Sequence, residues 1–272
     1  MKMCKKVLIV CVNYNSYDSL TDYLKSIDSS ASLCGECQVE VIIADNSTKP
    51  EEVEASAYRH VAVKVSKFDN RGYLGAAQSA INNHHENILT YDYVAITNVD
   101  LLMDESFFKS LSLLNVDENI AWIAPQIWSE DEKRDRNPKT MQRKSEKRLL
   151  AIKRMYQYPF LEWLYTHTMY KRKKLYTQHP ECDLFAGHGS FMILTRAFFK
   201  KYPTINYPVF LFGEESYLGE LILKAGLRVR YIPSLKVYDS EHVSTGRMNR
   251  KIYCKHNIEA INYILDTFYE HD

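Results

Sequence analysis

Asparagines and carboxylates stand directly after short β-branched runs at three points in this chain, a placement suited to holding a phosphate-bearing ligand. The sharpest case is Asn98-Val99-Asp100, which follows the apolar run Tyr93-Val94-Ala95-Ile96. In open α/β sheets ligands gather beyond the carboxyl ends of the strands, which is where Asp100 is expected. A divalent cation held there by hard oxygen ligands neutralises a departing nucleoside diphosphate and needs only one or two protein carboxylates. Asn13-Tyr14-Asn15 and Asp45-Asn46-Ser47 stand in matching positions after two earlier runs. Asp45 suits the imide N–H of a pyrimidine base, while Asn13, Asn15 and Asn98 suit base or ribose hydroxyls. Each triad alone also suits a helix cap or a turn. Their joint position at one sheet edge is what points to a nucleotide.

Asn70-Arg71-Gly72-Tyr73 precedes a segment rich in small residues, Gly75, Ala76, Ala77 and Ala80. A helix of that composition can approach a ligand closely, with Arg71 near phosphate charge. The glycine spacing matches neither G-x-G-x-x-G nor a P-loop. Glu214 and Glu215 open a predicted helix. Mutual repulsion raises the apparent pKa of such a pair and a helix N-terminus lowers it, and which glutamate acts stays open. His188, between Gly187 and Gly189, faces either an acceptor or the packed interior of a loop. Ser244-Thr245-Gly246-Arg247 reads either as a loop closing over a diphosphate through Arg247 or as a solvated turn.

These residues need a scaffold, and the hydrophobic pattern supplies one. Lys6 to Val12 and Val39 to Ala44 are β-branched runs of the kind found in strands buried on both faces, with Leu20, Leu24 and Ile27 at helical spacing between them. The alternation continues with a strand near Val61 to Val65, a helix from Leu74 to His84, a strand near Tyr91 to Thr97, a helix from Glu105 to Leu114 and a strand near Ile120 to Ala124. An α/β fold with a mostly parallel central sheet flanked by helices is expected. After Trp128 the rhythm breaks, and Leu149 to Tyr170 reads as two helices around Pro159. Order resumes at Asp183, with strands at Phe191 to Leu194 and Leu227 to Ile232, a strand-like stretch at Leu235 to Tyr238, and helices at Glu214 to Ala225 and Lys251 to Tyr269. One domain over 1–272 follows: a nucleotide-binding half (1–128), a basic aromatic insertion (129–180) and an acceptor and catalytic half with a closing helix (181–272).

With 272 residues, 46% of them hydrophobic, the chain can bury a large core without disulfide staples, so its six cysteines are expected to be reduced. Cys34-Gly35-Glu36-Cys37 reads as a loop rather than a redox or zinc motif. No apolar run approaches the ~20 residues of a membrane span, which suggests a cytoplasmic protein. The formal net charge of +1 hides an asymmetry: residues 133–174 carry 14 Lys or Arg against 3 Asp or Glu. That composition fits either a solvated helical pair or a peripheral contact with an anionic membrane, and no recognition module for nucleic acid accompanies it.

Taken in order, Val10-Cys11-Val12-Asn13-Tyr14-Asn15, Ile43-Ala44-Asp45-Asn46-Ser47, Asn70-x-Gly72-Tyr73, Asn98-x-Asp100, Gly187-x-Gly189-Ser190-Phe191-Met192-Ile193 and Phe212-Gly213-Glu214-Glu215 with a downstream His242 give a chain that resembles the family 2 inverting glycosyltransferases with the GT-A fold, especially their rhamnosyltransferase-like bacterial branch. The resemblance implies transfer of a sugar from a nucleoside-diphosphate donor, dTDP-rhamnose or a UDP-hexose, to a saccharide or lipid-linked saccharide in surface polysaccharide or lipopolysaccharide assembly. It implies Asp45 at the base, Asp100 at a Mg2+ or Mn2+ ion, Glu215 as catalytic base with Glu214 beside it, and His242 as a further metal or diphosphate contact. Asn98 stands where many relatives carry Asp, and Tyr217 where the branch often has a second acid. Those departures keep a second reading in view, a nucleotide-sugar-binding or membrane-surface scaffold without turnover. A sugar nucleotidyltransferase would be expected to show a Gly-rich basic loop where this chain has Asn13-Tyr14-Asn15.

Overall fold

The computed structural model describes residues 4–84, 86–158, 160, 179–239 and 248–269. His242, Arg247 and the later part of the basic insertion lie outside the described residues. The first half is a β-α-β series: β1 (Lys5–Asn13), α1 (Tyr17–Ser32), β2 (Cys37–Asp45), β3 (Ala62–Lys67), α2 (Tyr73–Asn82), β4 (Tyr93–Asn98), β5 (Leu101–Met103), α3 (Phe107–Leu113) and β6 (Ile120–Ser129). It continues through β7 (Arg134–Asp135), α4 (Glu146–Gln157), β8 (Cys182–Leu184), β9 (Phe191–Thr195), α5 (Arg196–Lys201), α6 (Glu214–Lys224), β10 (Arg228–Asp239) and α7 (Arg250–Phe268).

The strands form one sheet in the order β3-β2-β1-β4-β9-β6-β10-β5, with β7 beside β6 and β8 beside β10. Its long pairings, β1 with β2 and β4, β2 with β3, and β6 with β10, are parallel. The short ones are antiparallel, including β9, which inserts between β4 and β6. The expected strands at 227–232 and 235–238 are a single strand, β10, whose register slips between Ile232 and Lys236. Pro233 lies in that slip, where a residue without an N–H costs no ladder bond.

Side chains alternate across β1, so Leu8, Val10 and Val12 join one core while Val7, Ile9 and Cys11 join another. The first core packs α2, α5 and α6 on one face of the sheet, and the second packs α1 and α3 on the other. Burial on both faces explains why these strands read as continuous apolar runs. α1 buries Leu20, Leu24 and Ile27, the residues whose spacing announced it.

All six cysteines are free thiols. Cys37 opens β2 and its thiol donates to the Phe108 carbonyl at 3.5 Å; burial raises its pKa, which leaves it protonated and poorly nucleophilic. No described helix is long and apolar enough to cross a membrane.

Gly72 locks α2 to the segment before α6. Its φ of +73° with ψ of −175° is a region reserved for glycine, and a Cβ there would lie 1.7 Å from the Phe210 carbonyl oxygen. Gly72→Ala is therefore expected to destabilise the fold by at least ~2 kcal/mol. Equilibrium urea denaturation checks this, and a shift of a few tenths would contradict so close a packing.

Candidate active site

Strand register brings the asparagines and acids together. Asn13 pairs with Asp45 across β1 and β2, and Val12 with Asn98 across β1 and β4, so three strand ends finish level at one edge. At that edge Asp45 is 2% exposed. Its Oδ1 accepts from Asn13 Nδ2 at 3.1 Å and from Ser47 Oγ at 2.6 Å, and its Oδ2 from the Tyr17 hydroxyl at 2.8 Å. Ser47 Oγ in turn accepts from the backbone N–H of Asn15, a residue in the left-handed region at φ 51°. Asn15 also bonds to Thr48 and to the Lys49 N–H. The result is an ordered polar wall with its carboxylate already oriented.

The neighbouring turn is tied to this wall by Asn46, 2% exposed, which donates to the Gly72 carbonyl at 2.8 Å and accepts from the Arg71 N–H at 3.3 Å. Asn70 accepts from the Gly72 N–H at 3.1 Å and so shapes the turn itself. The Arg71 guanidinium lies along α2, donating to Ser79 at 3.0 Å and sitting 5.2 Å from the Phe68 ring. The bond to Ser79 uses one of the five guanidinium donors.

Asp100 follows β4 and sits beside an acid that sequence reasoning missed. Asp239 ends β10, where it pairs with Leu101 and Ser129, and it is 5% exposed. Arg136 binds it at 2.5 Å. Burial first, then the Asp239 charge, pushes the Asp100 carboxyl up to about 6, against the pull of Asn98 and Arg136. Two carboxylates balanced by one guanidinium leave a net negative charge on hard oxygen donors, which suits a divalent cation. The pairings of β10 with β5 and β6 bring Asp239 here, so no local sequence signal could have revealed it. A different cluster of possible ligands, Glu40, His84 and Glu86, lies at the opposite end of the strands. There Glu40 already pairs with Lys64 and Tyr91, and Glu86 with Lys6, which makes that cluster an ionic network of the fold.

The glutamate pair opens α6 after Gly213, which stands at φ 81°. Glu215 Oε1 accepts from the Gly189 N–H at 3.2 Å, and a Cβ on Gly189 would crowd that oxygen at 3.0 Å. His188 Nδ1 takes the Ser190 N–H at 3.2 Å and lies 2.9 Å from its hydroxyl, so the ring proton belongs on Nε2. Burial, then Lys139, Arg136 and Arg134, hold His188 well below the usual imidazole pKa and hence neutral. Tyr217 is buried among Tyr207, Tyr263 and Phe268, so position 217 faces the aromatic core.

Tyr73 joins the two halves. It follows Gly72, donates to the Gly189 carbonyl at 2.7 Å, and its phenol is raised by burial and by the charges of Glu214, Glu215 and Asp100 together. Asn46 ties the Asp45 wall to the Gly72 turn before Tyr73, and the charges of Asp100 and Glu215 both act on the Tyr73 phenol. The Asn98 N–H donates to the Ser190 carbonyl at 2.9 Å, a second link between the halves. Two surface cavities lie elsewhere: one of about 430 Å³ beside Lys6, Glu40 and Arg59, and one of about 350 Å³ beside Arg143, Glu220 and Phe268.

This architecture has solved counterparts. GalNAc-T7, determined with UDP, GalNAc and Mn2+, superposes with a TM-score of 0.59 at 12% identity over 96% of this chain, which spans 48% of that protein. TarS residues 1–349 from S. aureus gives 0.55 at 12% identity, over 97% of this chain and 72% of that one. The fold is GT-A-like, the fold of glycosyltransferases. The chain spans about half the length of the first of these structures. No family model and no curated protein matches the chain by sequence.

Glu214 offers a test of the site's electrostatics. Burial, then the charge of Glu215, raises its carboxyl well above the ordinary 4.5. The protonated form therefore contributes stability that is whole below about pH 4.5 and is lost as pH rises through the raised native value. Glu214→Gln should match the parent near pH 4 and exceed it by roughly 2 kcal/mol at pH 8. Urea midpoints across that range read the difference; a gap that narrows as pH rises would refute the assignment.

Proposed function

We propose that this protein is an inverting glycosyltransferase that moves a sugar from a nucleoside-diphosphate donor to a hydroxyl of a saccharide acceptor. The observation that carries the reading is Glu215, fixed by the Gly189 N–H at the start of α6 and sharing Tyr73 as a charge neighbour with Asp100. Inversion needs a carboxylate that takes the acceptor's proton as its oxygen attacks the anomeric carbon opposite the leaving diphosphate. Glu215 is assigned that role. Glu214, buried and favouring its protonated form, is assigned to shaping the helix start.

On the donor side, Asp45 receives the base within the network already formed by Asn13, Ser47 and Tyr17. Asn15, Asn70, Arg71, Gly72 and Asn98 line the path of ribose and phosphates. Asp100, with Asp239 beside it, would hold a Mg2+ or Mn2+ ion, whose chemistry is to neutralise the departing diphosphate. His242 is assigned to the same ion or diphosphate and Arg247 to the diphosphate. GalNAc-T7 was solved with UDP and Mn2+, which supports a UDP-sugar and manganese as the first pair to try. dTDP-rhamnose is the second, by resemblance to the family 2 rhamnosyltransferase-like branch. His188 and Gly189 border the acceptor. We place the enzyme at the cytoplasmic face of the inner membrane in surface polysaccharide assembly, with the basic stretch 133–174 meeting anionic lipid and a lipid-linked saccharide as acceptor.

Nucleoside diphosphate release from a panel of UDP- and dTDP-sugars, with and without Mn2+, tests the reading. Glu215→Gln is expected to lower kcat by a factor of about 10² to 10⁴ while nucleotide still binds. Asp100→Asn should weaken Mn2+-dependent nucleotide binding, read by titration calorimetry. Nucleotide binding without release from any donor would instead favour a scaffold, and undiminished turnover in Glu215→Gln would remove Glu215 from the chemistry.

A further inference from the structure

Two lysines beside the groups assigned to the acceptor have no ion-pair partner among the described residues. Residues 137–144 run beside the segment before β9 and are fixed there by the fold. Thr140 pairs with Ala186, and Asn137 accepts from the His188 N–H at 2.9 Å while donating to the Pro125 carbonyl at 2.8 Å. Arg143 Nε lies 2.8 and 2.9 Å from the two oxygens of the buried Glu220 carboxylate, and the Tyr269 hydroxyl donates to the Lys144 carbonyl at 2.6 Å. The backbone at Lys139 and Lys144 is thus positioned by contacts on both sides.

Six cations lie between residues 133 and 144, and four are matched: Lys133 with Glu130, Arg134 with Glu132, Arg136 with Asp239 and Arg143 with Glu220. Lys139 and Lys144 have no ion-pair partner among the described residues. Lys139 is the strongest of the cations acting on the His188 ring. Lys144 lies in the charge field of Glu215, with Lys139 and Arg148 as its other charged neighbours. Burial is the largest influence on Lys144 and disfavours its charged form, so an anion bound beside it would be strongly held. Lys139 is exposed and Lys144 half-buried, so both ammonium groups are accessible to a ligand.

We propose that the acceptor is a saccharide bearing a negative group, a carboxylate or a phosphate, which Lys139 and Lys144 grip beside Glu215. The proposal rests on the transferase reading and narrows it. A single partly desolvated charge contact of this kind is worth about a tenfold change in affinity.

The test titrates the full chain, with UDP and Mn2+ present, against methyl glucoside, methyl glucuronide and methyl glucoside 6-phosphate. At least one charged probe should bind about tenfold more tightly than the neutral one, and comparing the two separates carboxylate from phosphate recognition. Lys139→Gln and Lys144→Gln should each cut that ratio to about threefold or less, and added salt should erode it in the parent. Equal binding of charged and neutral probes overturns the proposal. So does a ratio unchanged in both variants, or variants that weaken UDP and dTDP binding instead. Titrating the two nucleotides on the same samples separates the failures. Nucleotide binding without charge preference overturns this proposal alone, whereas no nucleotide binding overturns it together with the transferase reading.

Discussion

Parallel pairing of β1 with β2 and β4 is the constraint on which the site depends. Parallel strands of matched register end at the same level, so Asn13, Asp45 and Asn98 arrive at one edge without any contact having to pull them there. The polar residues around Asp45 then build on that edge. Ser47 and Tyr17 orient Asp45, and Asn46 reaches across to fix the Gly72 turn. Because both faces of the sheet are covered by helices, these strand ends are among the few places where buried backbone gives way to polar side chains.

The opposite half is assembled by longer-range packing. β9 enters antiparallel between β4 and β6, and the loop before it presents Gly189 to Glu215. β10 carries Asp239 to Asp100. The two halves meet at Tyr73, whose hydroxyl bridges from α2 to the Gly189 carbonyl. Asp100 and Glu214 are both held above the ordinary carboxyl range, by burial first and then by a neighbouring acid. Such shifts are common where a site is arranged for a charged ligand rather than for the stability of the chain alone. The ionic network of Glu40, His84, Lys64 and Tyr91 at the other strand ends is the contrast: there each acid already has its partner.

Local signals carried much of this. The β-branched runs of β1, β2 and β4, the spacing of Leu20, Leu24 and Ile27 in α1, and the glutamates opening α6 announce their elements because period and capping chemistry depend on near neighbours alone. Short elements such as β5, β7, β8 and α5 left no such trace; they exist because a neighbouring strand or the sheet face stabilises them. Only packing against Tyr207 and Phe268 shows which way position 217 of α6 points.

What the sequence determined on its own is the alternating α/β plan and the polar triads at its strand ends, because both follow from side-chain periodicity along a few consecutive residues. Tertiary structure alone decided that Asp239 sits beside Asp100, that Gly189 holds Glu215, and that Lys139 and Lys144 stand unmatched among the described residues while their neighbours are paired. Those relations join residues tens to more than a hundred positions apart. They depend on strand order and helix packing, which no local pattern encodes.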